Sequence, residues 1–377
     1  MERNPDVVII GGGLAGLTAA LHLSKEGLKV TLVEKNAYPR HKVCGEYVSN
    51  EILPYLQWLG VDVLELQPTK ITDLEFTTAR GKHVKARLPL GGFGISRYSF
   101  DNFLYQKAIL NGCTIITETV TAVSFTGETF TVSCQNQVLI TKIVLGAYGK
   151  RAHIDQILAR DFIRKSAPWL AVKAHYSGNF PNDVVALHNF DGGYCGISKV
   201  ENDRINVCYL ADVNTFKKYK NIVDYQQHVL YKNAHLKSFF ENSTLLFEKQ
   251  ITISQVSFDK KSTIEDHILM IGDTAGLIHP LCGNGMAMAM HGAKIASELI
   301  LDYYSGKITS RQVLESAYAR KWSQNFGKRL FVGRLLAKAL QYETSTAFCV
   351  NLATRFPSLL SWIIKQTHGK PKENKWA

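Results

Sequence analysis

A polar start gives way at Asp6–Ile10 to a short apolar, β-branched run, which predicts a buried parallel strand. Gly11–Gly16 reads as a glycine-rich turn, and Leu17–Gly27 as a helix stopped by its glycine. A second apolar run, Leu28–Val33, ends in Glu34. Strand, turn, helix and strand thus follow one another within roughly 30 residues, the scale of a βαβ opening. Past Cys44-Gly45-Glu46 a helical stretch is expected as far as Leu59, and residues 71–95 alternate as a strand of a second sheet does. Phe100–Leu110 predicts a helix that Ser99 or Asp101 would cap, with Arg97 just before it.

Four strands are expected near 113–117, 120–125, 129–134 and 138–145. From about Asp161 to Ile253 the runs are rich in Tyr, Val and Ile, with one helix near Val223–Tyr231. His267–Ile271 returns to a buried strand, a long helix spans about Gly285 to Tyr304, and the pattern beyond Thr309 is helical. No internal repeat is visible. The fold expected is α/β, with a Rossmann-like nucleotide domain assembled from 1–70, 96–160 and 262–308. A β-sheet substrate domain (71–95 and 161–261) interrupts it, and a helical region (309–377) follows, ending in a Pro371–Lys375 stretch that reads as a disordered tail.

Composition narrows the class. With 46% hydrophobic and 20% charged residues, the 377-residue chain can bury a sizeable core. The net charge of +12 suits an anionic cofactor, substrate or surface, yet no nucleic-acid motif or aromatic-interleaved basic run accompanies it. Seven cysteines without a C-x-x-C fit neither zinc nor a disulfide framework, so free thiols in a reducing, cytoplasmic compartment are expected and no metal. No apolar run approaches the ~20 residues that span a bilayer. The C-terminal mixture of Phe331, Leu335, Trp362 and Ile363 with Arg320, Arg334 and Lys365 has two readings: a helix packing on its own domain, or a basic amphipathic contact with an anionic membrane.

The candidate chemistry begins at Gly11-x-Gly13-x-x-Gly16. Gly11 permits the tight turn, Gly13 lets backbone approach a pyrophosphate, and Gly16 allows close helix–strand packing. The helix start offers free N–H groups and partial positive charge to phosphates. Glu34 is placed for the adenosine ribose hydroxyls and disfavours a 2′-phosphate, leaving FAD or NAD. Far along the chain, Ile268–Ile271 leads into Gly272-Asp273-Thr274-Ala275-Gly276, then His279-Pro280 and Gly283-Asn284-Gly285-Met286-Ala287. An Asp after a strand suits a polyol hydroxyl, and a glycine-rich helix start suits a flavin edge.

With these motifs the chain resembles the FAD-dependent p-hydroxybenzoate hydroxylase superfamily. Pro39-Arg40-His41-Lys42-Val43-Cys44-Gly45-Glu46 is similar to the P-x-x-x-x-C-G segment of its geranylgeranyl reductase-like branch, as is Pro280-Leu281-Cys282-Gly283-Asn284-Gly285. The resemblance covers roughly residues 1–305. It implies FAD contacts at Gly11, Gly13, Leu14, Ala15, Gly16, Glu34, Lys35, Arg40, Cys44, Gly45, Arg97, Val120, Gly149, Gly272, Asp273, Pro280, Gly283, Gly285 and Met286. Asp273 would bind the ribityl chain, and backbone around Gly283–Met286 would face the flavin pyrimidine.

Two segments depart from the pattern. The Gly-Ala-Asp-Gly motif of the superfamily reads Gly146-Ala147-Tyr148-Gly149, and the aromatic Y-x-W-x-F-P segment of the reductase branch reads Tyr194-Cys195-Gly196-Ile197-Ser198-Lys199. The W-x-W-x-I-P of flavin halogenases is absent.

The resemblance implies a redox enzyme on a hydrophobic small molecule, foremost a reductase of an activated double bond. The alternatives are a single-component monooxygenase using NAD(P)H and O₂, or a flavin-binding protein without catalysis. With no second GxGxxG fold for a nicotinamide cofactor, either NAD(P)H docks transiently on the FAD domain or the electrons come from another donor. Cys44 is the candidate catalytic residue beside the flavin; Cys282 reads as an apolar filler and His279 as a structural residue of its turn. A long apolar cavity facing the flavin would mark a lipid-like substrate, a small polar one an aromatic.

Overall fold

The computed structural model describes residues 4–340 and 343–369, so the expected tail at Pro371–Lys375 lies outside the described residues. Two sheets organise the molecule. The first has six strands in the order 264–265, 268–270, 143–146, 7–10, 30–33 and 114–116, parallel except at its first edge. Val7–Ile10 sits near its middle with all four side chains buried, as a strand covered on both faces must be. Helix Leu14–Lys25 covers one face and packs against Arg97–Leu110 and Gly285–Tyr304.

The second sheet has nine strands and is mostly antiparallel. Its main path runs 244–245, 169–177, 205–212, 193–199, 184–190, 69–77, 83–94 and 47–49, with 251–256 also paired to 169–177. One parallel pairing, 184–190 beside 69–77, joins the two halves of this sheet, which come from distant parts of the sequence. A separate three-stranded meander (120–126, 129–134, 138–141) lies against the first sheet. Three helices close the chain: Arg311–Ala339, Glu343–Arg355 and Pro357–Thr367. The last lies on strand 83–94, bringing the C-terminal region onto the second sheet.

Several expectations shift. The helix expected directly after Glu46 begins instead with strand Tyr47–Ser49, which joins the edge of the second sheet, and only Leu53–Trp58 is α-helical. Residues 47–49, placed by sequence in the nucleotide domain, therefore pair with the other sheet. The strand expected over 138–145 is two, broken between Thr141 and Ile143, because one half pairs with the meander and the other with the first sheet. The first helix starts at Leu14, inside the glycine turn. The cap of the Arg97 helix is Ser96, whose hydroxyl accepts from the Ser99 N–H at 3.1 Å, and Arg97 opens the helix rather than preceding it. Beside the helix found at Ile222–His228 lies an unexpected one, Ala234–Glu241.

Candidate active site

The first glycine turn is shaped by close approach. Gly11 has φ +105°, where a side chain is strained, and a Cβ there would come 2.5 Å from the Ala147 carbonyl oxygen. A Cβ on Gly16 would run into the Gly11 carbonyl oxygen. Gly13 is different: the nearest groups to its missing Cβ are Arg97 Nη2 at 3.7 Å and Lys42 Nζ at 4.0 Å. Gly13 is also the N-cap of the first helix, with no side chain capping it and no acid in the first turn. The helix start therefore offers backbone donors beside two cations, the requirement for a pyrophosphate.

Those cations share one carboxylate. Asp101 takes Arg97 Nε at 2.6 Å and Nη2 at 2.8 Å, and Lys42 Nζ at 2.7 Å. Burial alone would push Asp101 up, but Arg97 and Lys42 hold it below its ordinary range. Burial likewise opposes the charge of Arg97, and Asp101 more than restores it. Arg97 thus makes a forked, largely buried ion pair with Asp101. Two cations against one anion leave one positive charge directed at the turn.

Glu34 closes the other side of the turn. Its carboxylate accepts from Gly12 N at 2.8 Å, Asn36 N and Nδ2 at 3.1 Å, and Arg40 Nη2 at 3.1 Å. Burial works against its charge, yet the Gly12 N–H and the nearby Lys42 and Arg40 keep its pKa low. The second glycine-rich segment is pinned from behind. Buried Lys261 donates to the carbonyls of Asp273 (2.9 Å) and Lys150 (2.7 Å), and burial lowers its pKa to about 8. Arg160, also buried, holds Thr274 O at 3.1 Å, Ser262 O at 2.7 Å and Asp155. Gly149 N donates to Thr274 Oγ1 at 2.8 Å, fastening the middle motif to the Asp273 loop. Tyr148, in place of the motif's acid, points to Met270 Sδ at 3.3 Å.

His279 accepts from Leu281 N at 3.4 Å, capping its turn, and burial lowers its pKa to about 4. It packs on Phe258 and Tyr194, as a structural histidine does. Cys282 is buried, with its thiol pushed up to about 12, and abuts Gly333 of the long C-terminal helix. It acts as filler.

A single cavity of about 760 Å³ joins these parts. Of the nineteen sequence-derived contact positions, eighteen line it; Gly16 lies behind the turn, where its role is packing. Cys44 lines the same cavity, half-buried, with its sulfur accepting from Glu46 N at 3.5 Å. Away from the glycine segments the wall turns apolar. Leu74, Phe76, Val84, Leu187, Ile197, Leu210 and Ile253 come from the second sheet. Leu336, Val350, Ala353, Leu360 and Ile364 come from the three C-terminal helices, and Leu340 from the cap of the first of them.

The sequence reading missed a second charge cluster. Glu46, at φ +55° and fully buried, takes Lys173 Nζ on one oxygen and His175 Nε2 on the other at 2.7 Å. Arg97 N adds a donor at 2.7 Å. Burial would raise the Glu46 pKa; Lys173 and His175 bring it below 4.5. A signal existed: Lys173 and His175 stand two apart in the otherwise apolar run Trp169–Tyr176, on one face of a strand, where an unpaired charge could not be buried.

With this geometry in view, residues 6–43 match the model of the family described as FAD dependent oxidoreductase. The chain is an FAD-dependent oxidoreductase. It is 24% identical to conditioned medium factor receptor 1 of Dictyostelium discoideum, over 97% of this chain and 77% of that protein. It is also 24% identical to digeranylgeranylglycerophospholipid reductase of Methanococcus vannielii, over 91% of this chain and 87% of the relative.

Among solved structures, the flavin-dependent brominase Bmp2 superposes with TM-score 0.79 at 20% identity, covering 97% of this chain and 93% of that one. A geranylgeranyl bacteriochlorophyll reductase-like protein of Thermoplasma acidophilum gives 0.78 at 16% identity, covering 97% of each. The structural likenesses carry the α/β flavoprotein fold. The reductase relatives agree with the resemblance drawn from the three motifs to the geranylgeranyl reductase-like branch. The oxidoreductase therefore has FAD as its cofactor.

Proposed function

We propose that this oxidoreductase reduces a carbon–carbon double bond in a hydrophobic, lipid-like small molecule. The observation that supports it most is the continuity of one cavity from the two glycine-rich segments into a long apolar wall. A cavity of this kind takes an extended hydrocarbon without leaving buried polar groups unmatched. The relative from Methanococcus vannielii is named as a reductase of a digeranylgeranyl lipid, which adds to the same reading.

In this reading the pyrophosphate of FAD lies on the Gly11–Gly13 backbone and the first helix start, facing the spare charge of Arg97 and Lys42. Glu34 takes the adenosine ribose on Oε2, which accepts only the Gly12 N–H, while Asn36 and Arg40 occupy Oε1. Asp273 holds the ribityl hydroxyls, Lys261 and Arg160 fix the loop that carries it, and Gly283–Met286 borders the pyrimidine. When bound, the cofactor supplies hydride to the double bond. Cys44, the thiol half open to the cavity, is the proton donor to the neighbouring carbon. The apolar wall excludes water from the transfer.

The C-terminal helices also expose Phe331, Phe348, Phe356 and Trp362 near Arg334, Arg355 and Lys365. No single helix among the described residues is long and apolar enough to cross a membrane. This face is proposed as a peripheral contact with an anionic lipid surface, from which the substrate is taken. Co-sedimentation with anionic but not neutral vesicles, abolished by Trp362→Ser with Phe348→Ser, tests it.

The reduction itself is tested with FAD-loaded protein reduced by dithionite under argon and mixed with geranylgeraniol. Flavin reoxidation without oxygen, with product gaining two hydrogens, is expected. A second reading, monooxygenation, draws on the likeness to a flavin-dependent brominase fold. It takes over if reoxidation requires oxygen and the product gains an oxygen atom.

A further inference from the structure

The cavity reaches the surface at the C-terminal helices. With about 100° between successive residues, helix Glu343–Arg355 turns a graded series of side chains outward. Val350 and Ala353 are buried, and Cys349 beside them is half-buried. Leu352 follows at 36% exposed, and Phe348 after it at 68%. Val350, Ala353, Cys349 and Leu352 all line the cavity. Leu352 thus meets both the interior space and the solvent, which an ordinary surface leucine does not. Thr346, buried on the inward side, spends its hydroxyl on the Leu340 carbonyl at 3.1 Å and offers the cavity no spare donor.

Helix Pro357–Thr367 packs against this one and supplies the facing edge. Its Leu360, Ile363 and Ile364 line the same cavity, while Trp362 is exposed. The chain bends by 113° between Glu343–Arg355 and Leu360–Thr367, short of the antiparallel return that would close two helices along their length. The helices therefore diverge from the break, where Phe356 is also exposed. They leave a seam edged by apolar side chains and one thiol from the interior to the surface. Neither helix is long and apolar enough to cross a membrane, whereas the bent pair together has that length and composition.

We propose that this seam is a portal for the hydrocarbon tail of the ligand, with Leu352 and Cys349 as its rim. The inference rests on the lipid-like reading and deepens it: the ligand is one whose chain is longer than the cavity. Its reacting end lies beside the glycine-rich segments and its far end passes out between the two helices. A closed pocket would reject such a chain by its length; an open seam sets no upper limit. The tail leaves water along the whole path, and its binding grows with the apolar area covered. Beyond the rim it meets Phe348 and Phe356, on the face read above as the lipid contact. Leu352 is then a residue that sets chain-length specificity and takes no part in the reduction.

The test follows the Cys349 thiol at the rim. FAD-loaded protein is treated with N-ethylmaleimide alone, with geranylgeraniol, or with geraniol, which has the same hydroxyl end and half the carbons. Binding of each alcohol is read from the flavin difference spectrum, and alkylated cysteines are located by peptide mass spectrometry. Geranylgeraniol at about ten times its dissociation constant is expected to slow Cys349 alkylation about tenfold by mass action. Geraniol bound to the same extent should leave the rate unchanged. Leu352→Trp, which fills the seam, should weaken geranylgeraniol about tenfold through the burial its tail loses, while geraniol binds as before. Equal protection by both alcohols, or protection by neither although both bind, overturns the portal and leaves the lipid-like reading standing. So does a Leu352→Trp protein that folds, holds FAD and binds geranylgeraniol as the wild type does. If neither alcohol binds while FAD is retained, the lipid-like reading itself falls, and the portal with it.

Discussion

Two buried charge clusters flank the cavity, and they are built to opposite ends. Around Asp101, two cations share one carboxylate at the surface of the cavity, with Lys42 partly open. Around Glu46, donors from strand 169–177 and the Arg97 backbone surround one carboxylate that no solvent reaches. The first leaves a positive charge beside the cavity; the second spends its charge on joining the Cys44 loop to the second sheet. Buried charge in one fold thus leaves a net positive centre where it is unbalanced and acts as a fastener where it is matched.

That contrast predicts a ranking of effects. Glu46→Ala should be the most damaging substitution, about 3–5 kcal/mol, because it leaves the Lys173 ammonium buried without its partner. A shift of the urea midpoint with unchanged slope would show it. The acid response sharpens the point. The folded pKa of Glu46 lies below its ordinary 4.5, so its stabilisation is complete above that value and is lost as pH falls through the folded pKa. Glu46→Gln should therefore flatten the loss of stability below pH 4.5, even though it lowers stability at neutral pH.

Next, Cys44→Ala should leave FAD uptake intact and slow turnover about a hundredfold, in the range general acids contribute. Wild-type turnover in this variant would make Cys44 a wall residue only. Lys42→Met, which removes the spare charge, should weaken FAD about tenfold and reduce its salt dependence, read by flavin fluorescence on titration. The smallest effect is expected at Cys282→Ala: about 1 kcal/mol of stability from the lost packing, with the flavin spectrum unchanged.

What the sequence disclosed follows the same division. The Gly11 turn, Glu34 and the Asp273 loop each depend on a few consecutive residues, because phosphates, ribose and ribityl chain are met by backbone turns at strand ends. Such local chemistry is readable as a motif. The Glu46 fastener joins positions 127 and 129 residues apart, and no local pattern around Glu46 names its partners. Ser96 is not legible as a cap because the helix begins at Arg97, earlier than its apolar periodicity announces. The local pattern over Tyr47–Ser49 predicts helix, and the pairing of these three residues with Gly92–Gly94 is a tertiary contact that overrides it. The apolar wall of the cavity eluded the reading for a related reason. Its residues are ordinary core positions of strands and helices, and only their assembly leaves space between them.

The position of Val7–Ile10 has a consequence for how the protein is made. This strand lies between 30–33 and 143–146, and 143–146 in turn needs 268–270 beside it. The sheet under the glycine turns therefore stays incomplete until residues 268–270 have emerged. The greasy chamber waits longer still for its last wall, the helix ending at Thr367. A nascent chain stalled before that helix would carry an open hydrophobic trough, so chaperone capture of C-terminally shortened forms should rise sharply once the final helix is missing.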